Sequence, residues 1–293
     1  MGVVQIQEVQ RKSAFRQAGV PALIVLIGIA ILLYPIASTL WNNGVQRQVA
    51  EAYSQFAEEL DPTERNDALE AAHEYNRTRT IGPILDPWTA RLSEDNEPYK
   101  AYLEHLNLSD VMARIVIPAI NVDLPVYHGT RPHVLERGVG HLFGTDLPVG
   151  GSGTHSVLTA HTGLQTATLF DNLADLKEGD SIYIDVYGEK LSYVVVGTEV
   201  VLPEETESLY KEKGRDLLTL VTCTPYGVNS HRLLVHAERA LMDEAAEAEI
   251  EQTGMAIQWW MWLFAAGALI TLVLLVRFLV NGGKRMLRKN ETR

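Results

Sequence analysis

Leu217-Leu-Thr-Leu-Val-Thr-Cys-Thr-Pro-Tyr-Gly-Val-Asn-Ser-His-Arg-Leu-Leu-Val-His-Ala-Glu238 holds the only cysteine of the 293-residue chain, Cys223, at the end of an apolar run. A loop of Pro, Gly, Asn and Ser follows, and Arg232 opens a second run, Leu233 to Ala237. Two such runs around turn formers predict a β-hairpin. Neighbouring strands lie about 4.8 Å apart, so the hairpin sets a thiol beside a guanidinium. A nearby cation favours the thiolate, which is the reactive form. The plain alternatives are a small buried hydrophobe for Cys223 and an ion-paired strand arginine for Arg232.

Around the hairpin, the pattern reads as β from Ala113 onward. Arg114–Pro118, Val122–Tyr127, Ser156–Thr159, Ser181–Tyr187, Leu191–Val201, Leu217–Cys223 and Leu233–Ala237 are seven strand candidates, separated by turns such as Gly150-Gly151 and Gly179-Asp180. Short strands at this spacing predict a closed barrel or sandwich. Short helical pieces are expected at Pro132–Arg137, Thr166–Asp175 and Glu204–Lys211. Gly150-Gly-Ser-Gly153 reads as a turn and not a phosphate loop, because neither Lys-Ser/Thr nor a helix follows it.

Upstream, Val45, Val49, Ala52, Tyr53 and Phe56 predict an amphipathic helix from Val45 to Leu60. Asp61-Pro62 stops it and starts a second helix over Thr63–Arg77, since proline suits a first helical position. Gly82, Pro83, Asp86 and Pro87 mark a loop carrying Trp88, and Pro98–Leu106 reads as a short helix. Downstream, Glu244–Gln252 reads as an acidic helical stalk.

Val20–Leu40 and Ala256–Val276 contain no charged residue. Each suffices to cross a hydrocarbon core, which needs roughly 20 apolar residues. The first run exceeds a signal-peptide core and precedes no small-x-small cleavage site. Arg11, Lys12 and Arg16 flank the first run; Lys284, Arg285, Arg288, Lys289 and Arg293 follow the second. The excess of cations on those flanks predicts two cytoplasmic termini with Trp41–Met255 outside. Trp41, Trp259, Trp260 and Trp262 sit where interfacial aromatics belong. The intervening part carries 16 Lys+Arg against 35 Asp+Glu, a net −19 within a whole-chain charge of −12. That balance argues against nucleic acid as a partner. A single cysteine forms no internal disulfide, so outside the cell it is a free thiol or an intermolecular link.

A cysteine nucleophile needs a proton carrier, usually histidine. Nine histidines compete. His161 lies just past a strand end in Leu158-Thr-Ala-His-Thr-Gly-Leu164, His231 adjoins Arg232, and His236 alternates within a strand. Spacing leaves the choice open.

Leu220-Val-Thr-Cys223 with Arg232 nine residues later resembles the TLxTC…R signature of sortase transpeptidases. Leu124-Pro-Val-Tyr-His-Gly129, Gly138-Val-Gly-His-Leu142, Leu147-Pro-Val-Gly-Gly151 and Thr154–Leu164 resemble the pilus-assembling class C branch, and Asp86-Pro-Trp88 resembles that branch's lid motif. The likeness covers Pro83 to Glu238; Thr162 stands where many relatives carry arginine.

This resemblance implies a mostly β fold: a closed sortase-type barrel of about eight strands at 113–240, with short helices. A helical N-terminal arm at 42–112 would carry a lid loop at about 82–90. A stalk at 241–255, transmembrane helices at 18–41 and 256–280, and cytoplasmic tails at 1–17 and 281–293 complete the expected layout. By resemblance, Cys223 attacks the Thr–Gly carbonyl of an LPxTG-like sorting signal, giving a thioacyl-enzyme. His161 protonates the departing amine and later deprotonates the incoming one, and Arg232 stabilises the oxyanion. Asp86 pairs with Arg232, and Trp88 covers Cys223. The implied partners are LPxTG-bearing pilin or surface-protein precursors, with a pilin lysine or a cell-wall amine as acceptor. The implied setting is the membrane of a Gram-positive-type bacterium. No cofactor is implied, no metal-ligand spacing is present, and the acidic residues form no ordered calcium loop. Two other readings stand beside it: attachment of surface proteins to wall cross-bridges, and a non-enzymatic tethered scaffold with a structural Cys223. The lid motif argues against the first, because housekeeping sortases generally lack one.

Overall fold

A computed structural model of the chain describes residues 2–88, 96–242 and 244–291. The chain divides into two compact units, residues 1–40 with 257–293, and residues 41–256. The first helix, α1, runs unbroken over Gly2–Glu59. The sequence suggested a span followed by a separate helix from Val45. The two merge because no proline falls between Pro35 and Pro62, and a lone Gly44 costs a helix only about 1 kcal/mol. The buried stripe of its last part is Gln46, Ala50, Tyr53 and Ala57, one position on from the expected face; Val45 and Ala52 are exposed.

Helix α2 covers Pro62–Thr78, and its N-cap Asp61 accepts from Thr63 N–H and Glu64 N–H. The Asp61-Pro62 pair thus starts the helix through a cap and a proline that needs no donor. Helix α3 follows at Glu97–Leu103. The strands are β1 Ala113–Ile117, β2 Val122–His128, β3 Val139–His141, β4 Thr154–Thr159, β5 Ser181–Val186, β6 Glu189–Val201, β7 Asp216–Thr224 and β8 His231–Ala240. Between β2 and β3 lies the four-residue α4, Pro132–Leu135. Helix α5 spans Glu244–Gln252 and α6 Trp259–Glu291.

The eight strands close into a barrel in the order β1-β2-β3-β4-β7-β8-β6-β5. Pairs β2–β3 and β4–β7 are parallel. Strand β3 escapes a periodicity reading because Gly138 and Gly140 carry no side-chain signal. Both glycines are required by close approach: a Cβ at Gly138 would lie 2.7 Å from Pro125 O, and one at Gly140 would collide with Gly129 O.

Two expected helices are corrected. In Thr166–Asp175 only Leu173–Asp175 is helical, as a single 3₁₀ turn. Leu169 takes a positive φ of 43°, and Asn42 and Asn43 hold Thr166 and Thr168 by side-chain bonds instead. In Glu204–Lys211 the helical piece shrinks to Glu207–Leu209.

The barrel interior is one apolar core that includes Ile115, Leu158, Leu218, Leu220 and Val235. A second cluster of Ile84, Leu142, Val157, Leu209, Val221 and Leu234 lies on the other face of the β4–β7–β8 sheet, with Trp88 and Val201 against it. Strand β7 is therefore covered on both faces, as its continuous apolar run required.

Gly19–Glu59 and Trp259–Asn281 are helical segments long and apolar enough to cross a membrane, each holding an 18-residue window of mean hydropathy 2.6 and 2.5 respectively. Thr89 and Ala90 of the expected lid, and the side chains of the basic flanks, lie outside the described residues.

Candidate active site

Strands β7 and β8 pair so that Cys223 stands opposite Arg232. Alternation along a strand puts both on the face of Val221 and Leu234, outside the barrel interior. Both are buried, Cys223 at 7% and Arg232 at 6% exposure. The neighbouring β4 runs parallel to β7, with Thr159 beside Val221. The pairing continues as Ala160 N–H donates to Val221 O at 3.3 Å and Thr222 Oγ1 donates to Ala160 O at 2.8 Å. His161 therefore leaves its strand at the level of Cys223.

The other two histidines are engaged elsewhere. His231 alternates to the face opposite Arg232 and contacts Ser230 Oγ at 2.8 Å. Both ring nitrogens of His236 are occupied, by Thr219 Oγ1 at 2.8 Å and Glu199 Oε1 at 3.1 Å.

Residues 84–88, in the loop after α2, cover this group. Asp86, only 6% exposed, accepts from both Nε and Nη2 of Arg232, at 2.5 and 3.1 Å. Such a two-point pairing of carboxylate and guanidinium is strong and directional. The same carboxylate caps the turn by accepting from Trp88 N–H at 3.2 Å. Arg232 Nη1 is held by the carbonyls of Asn229 and His231, so the guanidinium is oriented from two sides. Trp88 stacks under that guanidinium, 4.7 Å from ring centroid to Cζ, and its indole N–H donates to His161 Nδ1 at 3.3 Å. The loop is rooted at Ile84, whose N–H donates to Tyr210 OH at 3.3 Å and whose carbonyl accepts from Thr206 Oγ1 at 3.1 Å.

Electrostatically the covered site is at rest. Burial pushes the Cys223 thiol up; Arg232 offsets this, and Asp86 adds to it. Burial also holds the His161 imidazolium below its ordinary range, opposed in part by Glu136. A nitrogen that accepts from an indole N–H carries no proton of its own, so the Trp88 bond assigns the His161 proton to Nε2. The thiol and the imidazole are thus both favoured in their neutral forms in this arrangement.

Sequence reasoning named Cys223, His161, Arg232, Asp86 and Trp88, and the fold brings all five together. It missed Ile84, Tyr210 and Thr206 at the loop's root, and Asp171 behind His161. None of these carries a local signal, since each meets its partner only through tertiary contact.

The Sortase domain family matches residues 115–240. Solved sortase C-1 from Actinomyces oris is 57% identical, covering 62% of this chain and 100% of its own, with a TM-score of 0.61. Sortase A from Corynebacterium diphtheriae is 52% identical over 68% of this chain and 95% of its own, with a TM-score of 0.62; a lid mutant of that protein matches at 49% identity. Sortase C from Streptococcus pneumoniae, whose structure bears on pilin substrate specificity, is 37% identical over 67% of this chain and 97% of its own, with a TM-score of 0.61. Sortase A of Bacillus anthracis is 32% identical over 130 residues, 44% of this chain and 60% of that protein. The chain thus spans about 60% of the length of such curated relatives.

Proposed function

The chain belongs to the sortase family, and from that membership we propose that it is a membrane-anchored cysteine transpeptidase joining LPxTG-bearing pilins to a pilin lysine. The observation that carries the reading is the Cys223–Arg232 cross-strand pair with His161 at the adjoining strand end.

The Cys223 thiol passes its proton to His161, the resulting thiolate attacks the threonine carbonyl carbon of the sorting signal, and the carbonyl oxygen takes up the negative charge. Arg232, already oriented by two backbone carbonyls, stabilises that oxyanion. A preorganised charge of this kind typically contributes about 3–4 kcal/mol to the barrier. The Thr–Gly bond then breaks, His161 delivers a proton to the glycine nitrogen, and a thioester remains on Cys223. An incoming lysine amine gives a proton to His161 and attacks the thioester carbon. The new amide expels the Cys223 thiolate, and the cycle closes with no change in oxidation state.

Asp86 and Trp88 form a lid over this chemistry. Asp86 occupies the edge of Arg232 that the oxyanion needs, and Trp88 occupies the imidazole that the leaving amine needs. The lid motif and the pilin-directed relatives favour pilus polymerisation over attachment to wall cross-bridges, which is the second reading.

Incubating the purified chain with an LPxTG peptide and hydroxylamine tests the proposal. The wild type should release the glycine-side fragment and form the threonine hydroxamate. Cys223→Ala should lose both products, and undiminished cleavage by that variant would rule out a thiol nucleophile. Supplying a pilin lysine peptide and a cross-bridge peptide in competition distinguishes the two acceptors.

A further inference from the structure

Two consecutive residues grip the turn that carries His161. Phe170 N–H donates to His161 O at 3.1 Å. Asp171 Oδ1 accepts from Gly163 N–H at 2.7 Å and from Thr162 Oγ1 at 3.2 Å. Phe170 is fully buried in the barrel core, so the grip is anchored in packed apolar surroundings. The turn needs an external hold, because Gly163 adopts a φ of 79°, a region that only glycine enters without cost.

The surroundings of Asp171 are unusual for a carboxylate. The groups facing it are the Gly163 amide and the Thr162 hydroxyl from the His161 turn, and the Tyr226 phenol from the β7–β8 loop. Among the described residues, no cation is one of them. Glu136 bears on His161 itself and not on Asp171.

We propose that Asp171 is a positioning residue for His161: its side-chain oxygen holds the Thr162–Gly163 turn so that the imidazole stays level with Cys223. This rests on the reading of His161 as the proton carrier and adds a residue that acts through it. The hold comes from the oxygen as an acceptor, so an amide in its place serves nearly as well and a methyl does not. Burial pushes the Asp171 carboxyl up to about 6. Below that pH its protonated form accepts more weakly, and the grip on the turn loosens.

The test uses the full chain in detergent micelles, with Asp86→Ala present in every variant to release the lid. Asp171→Ala should lower kcat for LPxTG peptide cleavage by about 10–100-fold, the scale of a catalytic group displaced by an ångström, with KM little changed. Asp171→Asn should retain kcat within about threefold of its parent on the same scale and lose the acid inflection near pH 6. The His161 Cε1–H resonance should move in Asp171→Ala and stay in place in Asp171→Asn. Thr162→Val, which keeps the Gly163 bond, should show a smaller loss in the same direction and covers the case in which Asp171→Ala fails to fold. A kcat and a His161 resonance unaffected by Asp171→Ala overturn the proposal, as does Asp171→Asn losing as much as Asp171→Ala. A parent that cleaves no peptide counts against the transpeptidase reading alone, since the His161 resonance still decides the clamp.

Discussion

Trp88 and Asp86 act on the site by two separable routes. The indole N–H on His161 Nδ1 opposes protonation of the ring at that nitrogen, while the Asp86 carboxylate cancels the charge of Arg232 and raises the Cys223 thiol. For a thiol whose folded pKa is raised, the thiolate is scarce at neutral pH and appears only as pH climbs. Removing Asp86 takes away one raising influence and exposes the site, so the thiolate should appear at lower pH. Each pKa unit recovered multiplies the thiolate fraction at fixed neutral pH about tenfold. Asp86→Ala should therefore react faster with a small alkylating reagent and shift the rate–pH curve toward acid. Trp88→Ala should quicken the reaction mainly by opening access. Rates and midpoints equal to wild type in both variants would count against gating.

At the scale of elements, the Ile84–Trp88 segment depends on how its root is fastened. Helix α2 ends at Thr78, and its last turns are tied to the β3–β4 loop by buried polar groups. Asn76, 3% exposed, donates to Leu147 O at 3.0 Å and accepts from Leu147 N–H at 2.8 Å, satisfying both backbone groups as a strand would. One residue past the helix end, Arg79 pairs with the fully buried Asp146 and donates to Gly144 O at 2.7 Å. Asp146 also accepts from Lys211 at 3.2 Å and from His155 N–H at 2.9 Å. Asn76→Ala strands two buried backbone groups, at about 1–3 kcal/mol each. Thermal unfolding of residues 41–256 should then fall by roughly 5–15 °C, read by calorimetry or near-UV dichroism. A shift within a degree or two would mean that water reaches Leu147 freely and that the clasp is not what holds the arm.

For the molecule as a whole, two apolar helices flank a strongly acidic portion. Residues 41–255 carry a net −19, while the remaining chain carries +7. The proposed arrangement sets the acidic catalytic part outside and both basic ends in the cytoplasm. Because Cys223 is the only cysteine, a Cys223→Ala background permits single-cysteine mapping. Cysteines introduced at Gln5 and Asn290 should be labelled by a membrane-impermeant maleimide only after cells are opened, and one at Glu70 in intact cells. Labelling of the termini in intact cells would reverse the topology.

The sequence by itself determined a β fold of barrel or sandwich type, the two apolar helices and the Cys223–Arg232 pair. Each is encoded locally: alternation reports which face of a strand is buried, composition reports a span, and a short hairpin fixes its own register. The resemblance added His161 and the lid motif. Only the tertiary structure decided that α1 continues past Trp41, that the loop after His161 is held by asparagine side chains and is not a helix, and that β3 is a strand at all. It also decided how Asp86 and Trp88 meet Arg232 and His161, since Asp86 and Arg232 lie 146 positions apart and Trp88 and His161 lie 73 apart. Periodicity states that a face must be covered, but not by what. Barrel closure chooses the covering element, and with it the tautomer of His161 and the carboxylate of Asp171 behind it.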